Sequence, residues 1–137
     1  MQIRRPRIAS LRIGGGCKKM SKILVTGGCG FIGSHLVDAL LDDGHEAVII
    51  DNLATGKLEN IEHVLDRVEF HREDIRDLDI LRKITKTVDY VYHEAALGSV
   101  PRSVADPLTT NDVNVTGTLN VLIAAREAGV KRVMFAS

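Results

Sequence analysis

Gly27, Gly30 and Gly33 sit at three-residue intervals between an apolar run, Ile23-Leu24-Val25, and an amphipathic stretch that follows at once. A strand, a tight turn and a helix start in that order make a pyrophosphate site. Gly27 turns the backbone sharply, Gly30 leaves room for a phosphate beside the main chain, and Gly33 lets the helix pack closely. The free N–H groups and the positive helix end then meet the anion. Without a ligand the same pattern is a plain strand-turn-helix. The acid expected with a dinucleotide is present: Asp51 closes the next apolar run, Ala47-Val48-Ile49-Ile50, about 20 residues on, where a carboxylate takes ribose hydroxyls. That carboxylate also repels a 2′-phosphate, and its neighbours Asn52, Leu53 and Ala54 bring no cation. The expected cofactor is NAD rather than NADP.

The elements that must hold these residues alternate. Short Val- and Ile-rich runs read as strands at 22–26, 46–51, 68–72, 88–93 and 132–136. Helical patterns read at 31–43, 57–65, 77–86 and within 107–128, with Gly44 and Gly129 as stops. Alternating strands and helices predict an α/β fold, a doubly wound parallel sheet of five strands in the order 3-2-1-4-5. Ligands bind such sheets at the carboxyl ends of the strands.

Composition narrows the class. The 137 residues are 45% hydrophobic but only 4% aromatic, which suits a single core of Ile, Val, Leu and Ala. The zero formal charge is uneven. Residues 1–20 carry six basic groups and no acid, which leaves twelve basic against 18 acidic groups beyond them. An acidic body argues against nucleic acid as partner. Residues 1–20 are expected to be a basic, disordered extension, and 21–137 the NAD-binding domain. No run is long and apolar enough for a signal peptide or a membrane span. The two cysteines, Cys17 and Cys29, make no disulfide framework and suit a reducing cytoplasm. Cys29 has two readings: a helix-terminal thiol with a lowered pKa, or a small side chain that fits the turn, which is the expectation.

Thr26-Gly27-Gly28-Cys29-Gly30-Phe31-Ile32-Gly33, Asp51-Asn52-Leu53, Asp74-Ile75, His93-Glu94-Ala95-Ala96 and Asn114-Val115-Thr116-Gly117-Thr118 follow one another in the chain. In these five ordered motifs, residues 22–137 resemble the NAD-dependent epimerase/dehydratase family, extended short-chain dehydrogenases that act on nucleotide sugars. Ala96 to Ser103 resembles most the UDP-glucose and UDP-N-acetylglucosamine 4-epimerases. The resemblance implies a Rossmann-type sheet and a role for each matching residue. Phe31 and Ile32 would offer backbone N–H groups to the pyrophosphate. Asp51, Asn52 and Leu53 would hold the adenine ribose. Asp74 and Ile75 would meet the adenine ring, where a capping or solvated acid is the plainer alternative for Asp74. Ala95, Ala96 and Leu97 would pass under the nicotinamide-side ribose. Asn114 would bond backbone near the active site, or else bond locally inside its helix. Gly98, Ser99 and Arg102 would contact the sugar or its diphosphate, or form a plain surface loop. His93 is expected to be structural, and Glu94 departs from the uncharged residue the family favours there.

The family's chemistry needs a Tyr-x-x-x-Lys pair with a nearby Ser or Thr, and epimerisation runs by oxidation of the sugar to a 4-keto intermediate, rotation and re-reduction. Tyr90 and Tyr92 are followed four positions on by Glu94 and Ala96, and Ser137 resembles the start of the family's serine-rich strand end. The resemblance therefore implies the cofactor-binding part of a nucleotide-sugar epimerase, truncated before the catalytic and substrate-binding part and inactive alone. Its nucleotide-sugar substrate and homodimer partner follow from the family, with self-association expected of this chain. A nucleotide-sugar 4,6-dehydratase fragment and a non-catalytic dinucleotide-binding module are the alternatives.

Overall fold

The computed structural model describes residues 19–136, so the expectation for the basic head and the one for Ser137 lie outside or almost wholly outside them. Five parallel strands, β1 (Lys22–Thr26), β2 (Glu46–Ile50), β3 (Val68–His71), β4 (Tyr90–His93) and β5 (Arg132–Phe135), form one sheet in the order β3-β2-β1-β4-β5. This is the expected order. It puts the point where the chain reverses direction across the sheet between β1 and β4.

Strand alternation divides the core in two. Leu24, Val48, Ile50, Val91 and Val133 face helices α2 (Leu78–Thr85) and α5 (Thr118–Ala128). Ile23, Val25, Ala47, Ile49 and Tyr92 face helix α1 (Phe31–Asp42). Central strands buried on both faces carry apolar residues without polar alternation, which is why β1 and β2 read as continuous runs. Each fully buried Ile or Leu contributes roughly 1.5–3 kcal/mol. The stops at Gly44 and Gly129 are where the spacing predicts, and α2 opens on Asp77, whose carboxylate accepts from the N–H groups of Asp79 and Ile80.

One expectation for helices is corrected and another refined. The stretch 57–65 is not an α-helix but a pair of 3-10 turns, Leu58–Asn60 and Glu62–Arg67. Its apolar residues Leu58, Ile61 and Val64 recur every third position, which is the 3-10 period, and Ile61 and Val64 are buried against the α1 side of the sheet. The long helix within 107–128 is present and continuous, but it is not α-helical throughout. Short helices α3 (Val100–Ala105) and α4 (Pro107–Asn111), each opening beside a proline, lead into a π-helical segment, Asp112–Gly117, and then α5. Proline is accepted in the first helical turn but stops a helix that would run through it, so Pro107 separates α3 from α4. No helix among the described residues is long and apolar enough to cross a membrane.

Candidate functional site

The loops after β1, β2, β3 and β4 all open at the carboxyl ends of their strands, and together they wall one cleft of about 380 Å³. Its floor is the glycine turn. Gly27 takes φ +69°, and a side chain there would strike the Ala95 backbone at 2.8 Å, so the first and fourth loops touch through it. A Cβ on Gly28 would meet Ile49 at 2.6 Å, and one on Gly33 would run into the Gly27 carbonyl oxygen. Gly33 therefore lets α1 pack on the turn itself, more than on the sheet. Gly30 is the N-cap of α1 and offers no side chain, whereas Asp77, Ser99 and Asp106 cap α2, α3 and α4 with side-chain oxygens. With no acid in its first turn either, α1 presents bare N–H groups at Phe31, Ile32 and Gly33 to the cleft.

Asp51 is buried at the end of β2 and works on the turn from behind. Its Oδ2 accepts from Cys29 N–H at 2.9 Å, and its Oδ1 accepts from Leu53 N–H at 2.8 Å. Each oxygen keeps a second lone pair for an incoming hydroxyl. The second bond holds Leu53 at φ +60°, a left-handed conformation that a branched residue adopts only under constraint. Leu53 is thereby turned onto the α1-side core and is absent from the cleft wall. Cys29 is fully buried, and burial first, then the nearby Asp51, pushes its thiol up to about 12. The low-pKa reading is excluded, and the small side chain that fits the turn remains. Backbone geometry also explains Gly56, which sequence reasoning missed: its Cα faces the Cys29 backbone and Asp51 Oδ2, and a Cβ would come within 3.0 Å of either. Lys57 N–H and the Asn60 amide both donate to Cys29 C=O, so the 3-10 turns clamp the glycine turn.

The third loop brings Asp74, Ile75 and Arg76 to the far end of the cleft. Arg76 holds the Asp74 carboxyl down to about 2, mainly through its side-chain hydrogen bonds, with a further bond from Asn52 Nδ2 at 2.9 Å. Asp74 is thus ionised throughout the neutral range. The loop is fixed from below. Asn120 Nδ2 donates to the carbonyls of Ile75 and Arg76 at 3.2 and 3.0 Å, and Gly117 lets Ile75 press against the helix. Asn120 had no signal of its own in the sequence, because its partners lie about forty-five residues away in the chain.

The fourth loop closes the other end. Glu94, Ala95, Ala96 and Leu97 line the cleft, and burial raises the Glu94 pKa. Asn114 stands behind this wall: its Oδ1 accepts from Leu97 N–H at 2.7 Å and its Nδ2 donates to Leu97 C=O at 3.0 Å. His93 is buried in a hydroxyl relay. Thr118 donates its hydroxyl proton to Asn114 C=O, so it accepts from His93 Nε2–H; His93 Nδ1 then accepts from Thr26 Oγ1, which in turn accepts from Ala95 N–H. Burial lowers the His93 pKa, in keeping with this neutral tautomer, and both ring nitrogens are committed. Gly98, Ser99 and Arg102 stand apart from the cleft wall. Ser99 caps α3, accepting from Arg102 N–H at 3.4 Å, and the Arg102 side chain is exposed.

This arrangement has a match. The sequence model of the NAD dependent epimerase/dehydratase family fits residues 23–137. The chain belongs to that family. The chain is 46% identical over 116 residues to a putative UDP-glucose 4-epimerase of Methanocaldococcus jannaschii, covering 84% of this chain and 37% of that protein. It is 48% identical to the UDP-N-acetylglucosamine 4-epimerase from Methanobrevibacter ruminantium, solved with UDP-N-acetylmuramic acid (TM-score 0.80; 87% and 38% of the two chains). It is 39% identical to a dTDP-glucose 4,6-dehydratase from Streptomyces venezuelae, solved with NAD bound (TM-score 0.77; 82% and 38%). The chain thus spans little more than a third of the epimerase/dehydratase relatives it matches. Their shared fold is the Rossmann-type sheet that the strand order describes.

Proposed function

We propose that this chain is the NAD-binding part of a UDP-sugar 4-epimerase. The observation that carries the reading is the cleft at the β1/β4 switch point, with uncapped α1 amides at its centre and the Asp51 carboxylate beyond them. The groove fits a dinucleotide on its own chemistry. The amides of Phe31 and Ile32 bind the pyrophosphate, and the absent Gly30 side chain leaves that approach open. Asp51 and Asn52 orient the adenine ribose, Asp74 and Ile75 meet the base, and Ala95 to Leu97 keep the nicotinamide-side wall thin. A bound NAD supplies hydride transfer at a sugar carbon. Matches of 46 to 48% identity are to 4-epimerases, which makes 4-epimerisation the first reading; other 4-epimerases share 36 to 39%, no more than the dehydratase, which keeps 4,6-dehydration as the second.

Calorimetry tests the reading. NAD should bind at least about tenfold more tightly than NADP, a difference of roughly 1.4 kcal/mol. Equal affinities would sink the Asp51 argument. The Tyr-x-x-x-Lys pair that the family uses for proton transfer is not among these residues: Tyr90 and Tyr92 are followed four positions on by Glu94 and Ala96, Tyr92 is buried on the α1 side of the sheet, and His93 is committed. The chain alone should therefore show no turnover of UDP-glucose, since loss of a general acid/base costs about 10²–10⁴-fold. Turnover that disappears on changing His93 would show the chemistry to be misread.

A second copy of the chain is the partner this reading expects. Val115, Leu119 and Leu122 lie at i, i+4 and i+7 along one side of the π segment and α5, 60, 54 and 46% exposed. An apolar stripe of that kind drives association. Light scattering should give a mass above that of one chain; a monomer at high concentration would remove the expectation.

A further inference from the structure

We infer that Asp74 and Arg76 form a second selectivity element for the dinucleotide, in which the carboxylate restrains an arginine that would otherwise take a 2′-phosphate. The inference rests on the NAD-binding reading above. Asp51 is the expected barrier to a 2′-phosphate, and no cation flanks it in the sequence. The fold nevertheless brings one into the same cleft. Arg76 lines it together with Asp51 and Asn52. A chain of contacts links them: Asn52, next to Asp51, donates through Nδ2 to Asp74 Oδ2 at 2.9 Å, and that same carboxylate takes the Arg76 fork, Nε to Oδ1 at 3.0 Å and Nη2 to Oδ2 at 2.8 Å.

A planar guanidinium is the side chain suited to a phosphate, which it grips with two parallel hydrogen bonds. Here that fork is spent on Asp74. The remaining contact, Nη1 to Asp112 Oδ2, is long at 3.4 Å. With Asp74 ionised the pair is neutral, and Asp51 leaves this end of the cleft net negative. A phosphate on the ribose then meets repulsion, and the Nε–Nη2 edge of the guanidinium is not free to grip it. Removing the Asp74 charge changes both terms together. Asn120 holds the Arg76 backbone through the carbonyls of Ile75 and Arg76, and an asparagine at 74 keeps the Oδ1 that accepts from Arg76 N–H at 2.9 Å, so the exposed side chain is what re-aims.

The test compares wild type, Asp74→Asn, Arg76→Ala and the double variant of the full chain. NAD and NADP affinities are measured by calorimetry at neutral pH, with folding followed by circular dichroism. The readout is the NADP-to-NAD affinity ratio, which cancels any general loss at the adenine end. Asp74→Asn should raise the ratio about tenfold, as one charge-assisted phosphate contact would. Arg76→Ala alone should not raise it, and the double variant should return to the wild-type ratio. An unchanged ratio in Asp74→Asn overturns the inference. So does a rise that persists in the double variant, which would mean that Asp74 acts by repulsion alone. If Asp74→Asn does not fold, Asp74→Ser carries the same expectation. A wild-type chain that binds no NAD defeats the underlying reading and this inference with it, whereas NAD binding with an unmoved ratio defeats the inference alone.

Discussion

Gly30→Val should abolish NAD binding and leave the fold almost intact. The position has φ −76° and ψ 175°, which valine adopts readily. An added Cβ meets only the Gly27 carbonyl oxygen, at 3.3 Å, a contact that a shift of a few tenths of an ångström relieves. The rest of the side chain projects into the space through which a phosphate reaches the Phe31 and Ile32 amides. Losing charge-assisted bonds worth roughly 3 kcal/mol weakens affinity at least about a hundredfold. The thermal midpoint should move by only a few degrees. Calorimetry that finds NAD affinity within about threefold of wild type would mean that the pyrophosphate does not lie on this turn.

Gly33→Ala should do the reverse of what alanine usually does in a helix. Replacing a helical glycine by alanine ordinarily stabilises by about 1 kcal/mol. At this position the single added carbon would collide with the Gly27 carbonyl and lie 2.9 Å from Gly28 Cα. Both obstacles are backbone, so neither can rotate away. Helix α1 must lift off the turn or Gly27 must leave its left-handed conformation. A cost of about 3 kcal/mol lowers the thermal midpoint of a domain this size by roughly 10 °C. NAD affinity should fall as well, because the amides that meet the phosphate belong to the displaced helix. A midpoint equal to or above that of wild type would show that the helix does not depend on this close approach.

The two variants separate roles that the glycine spacing by itself cannot. The pattern Gly27-x-x-Gly30-x-x-Gly33 announces a turn, but only the packing shows that Gly33 serves the turn's own backbone, that Gly28 accommodates Ile49, and that a Cβ on Gly30 would meet only the Gly27 carbonyl oxygen. The third loop is similar. Asp74 followed by Ile75 was readable as a motif and the Arg76 fork on Asp74 forms within that loop, whereas the bond from Asn52 depends on where two loops meet. Cys29 is the small side chain expected in the turn: a helix N-terminus favours a thiolate, but complete burial and the Asp51 charge outweigh it.

The sequence alone determined the alternation of strands and helices, the glycine turn and the acid that closes β2, because these follow from short-range signals; most of the cleft wall was legible only through the family resemblance. Apolar runs buried on both faces, glycine stops and an acid at a strand end are each decided within a few residues. The tertiary structure decided what long-range contact controls. It turned the 57–65 stretch into 3-10 turns by burying Ile61 and Val64 at a three-residue period. It widened the middle of the last helix into a π segment, and that segment and α5 hold the cleft from behind, through Asn114 on Leu97 and Asn120 on Ile75 and Arg76. It drew Leu53 out of the site and brought Arg76 in. A side chain's periodicity reports which face it lies on. Its partner across the fold is set only when strands that are distant in the chain come into register.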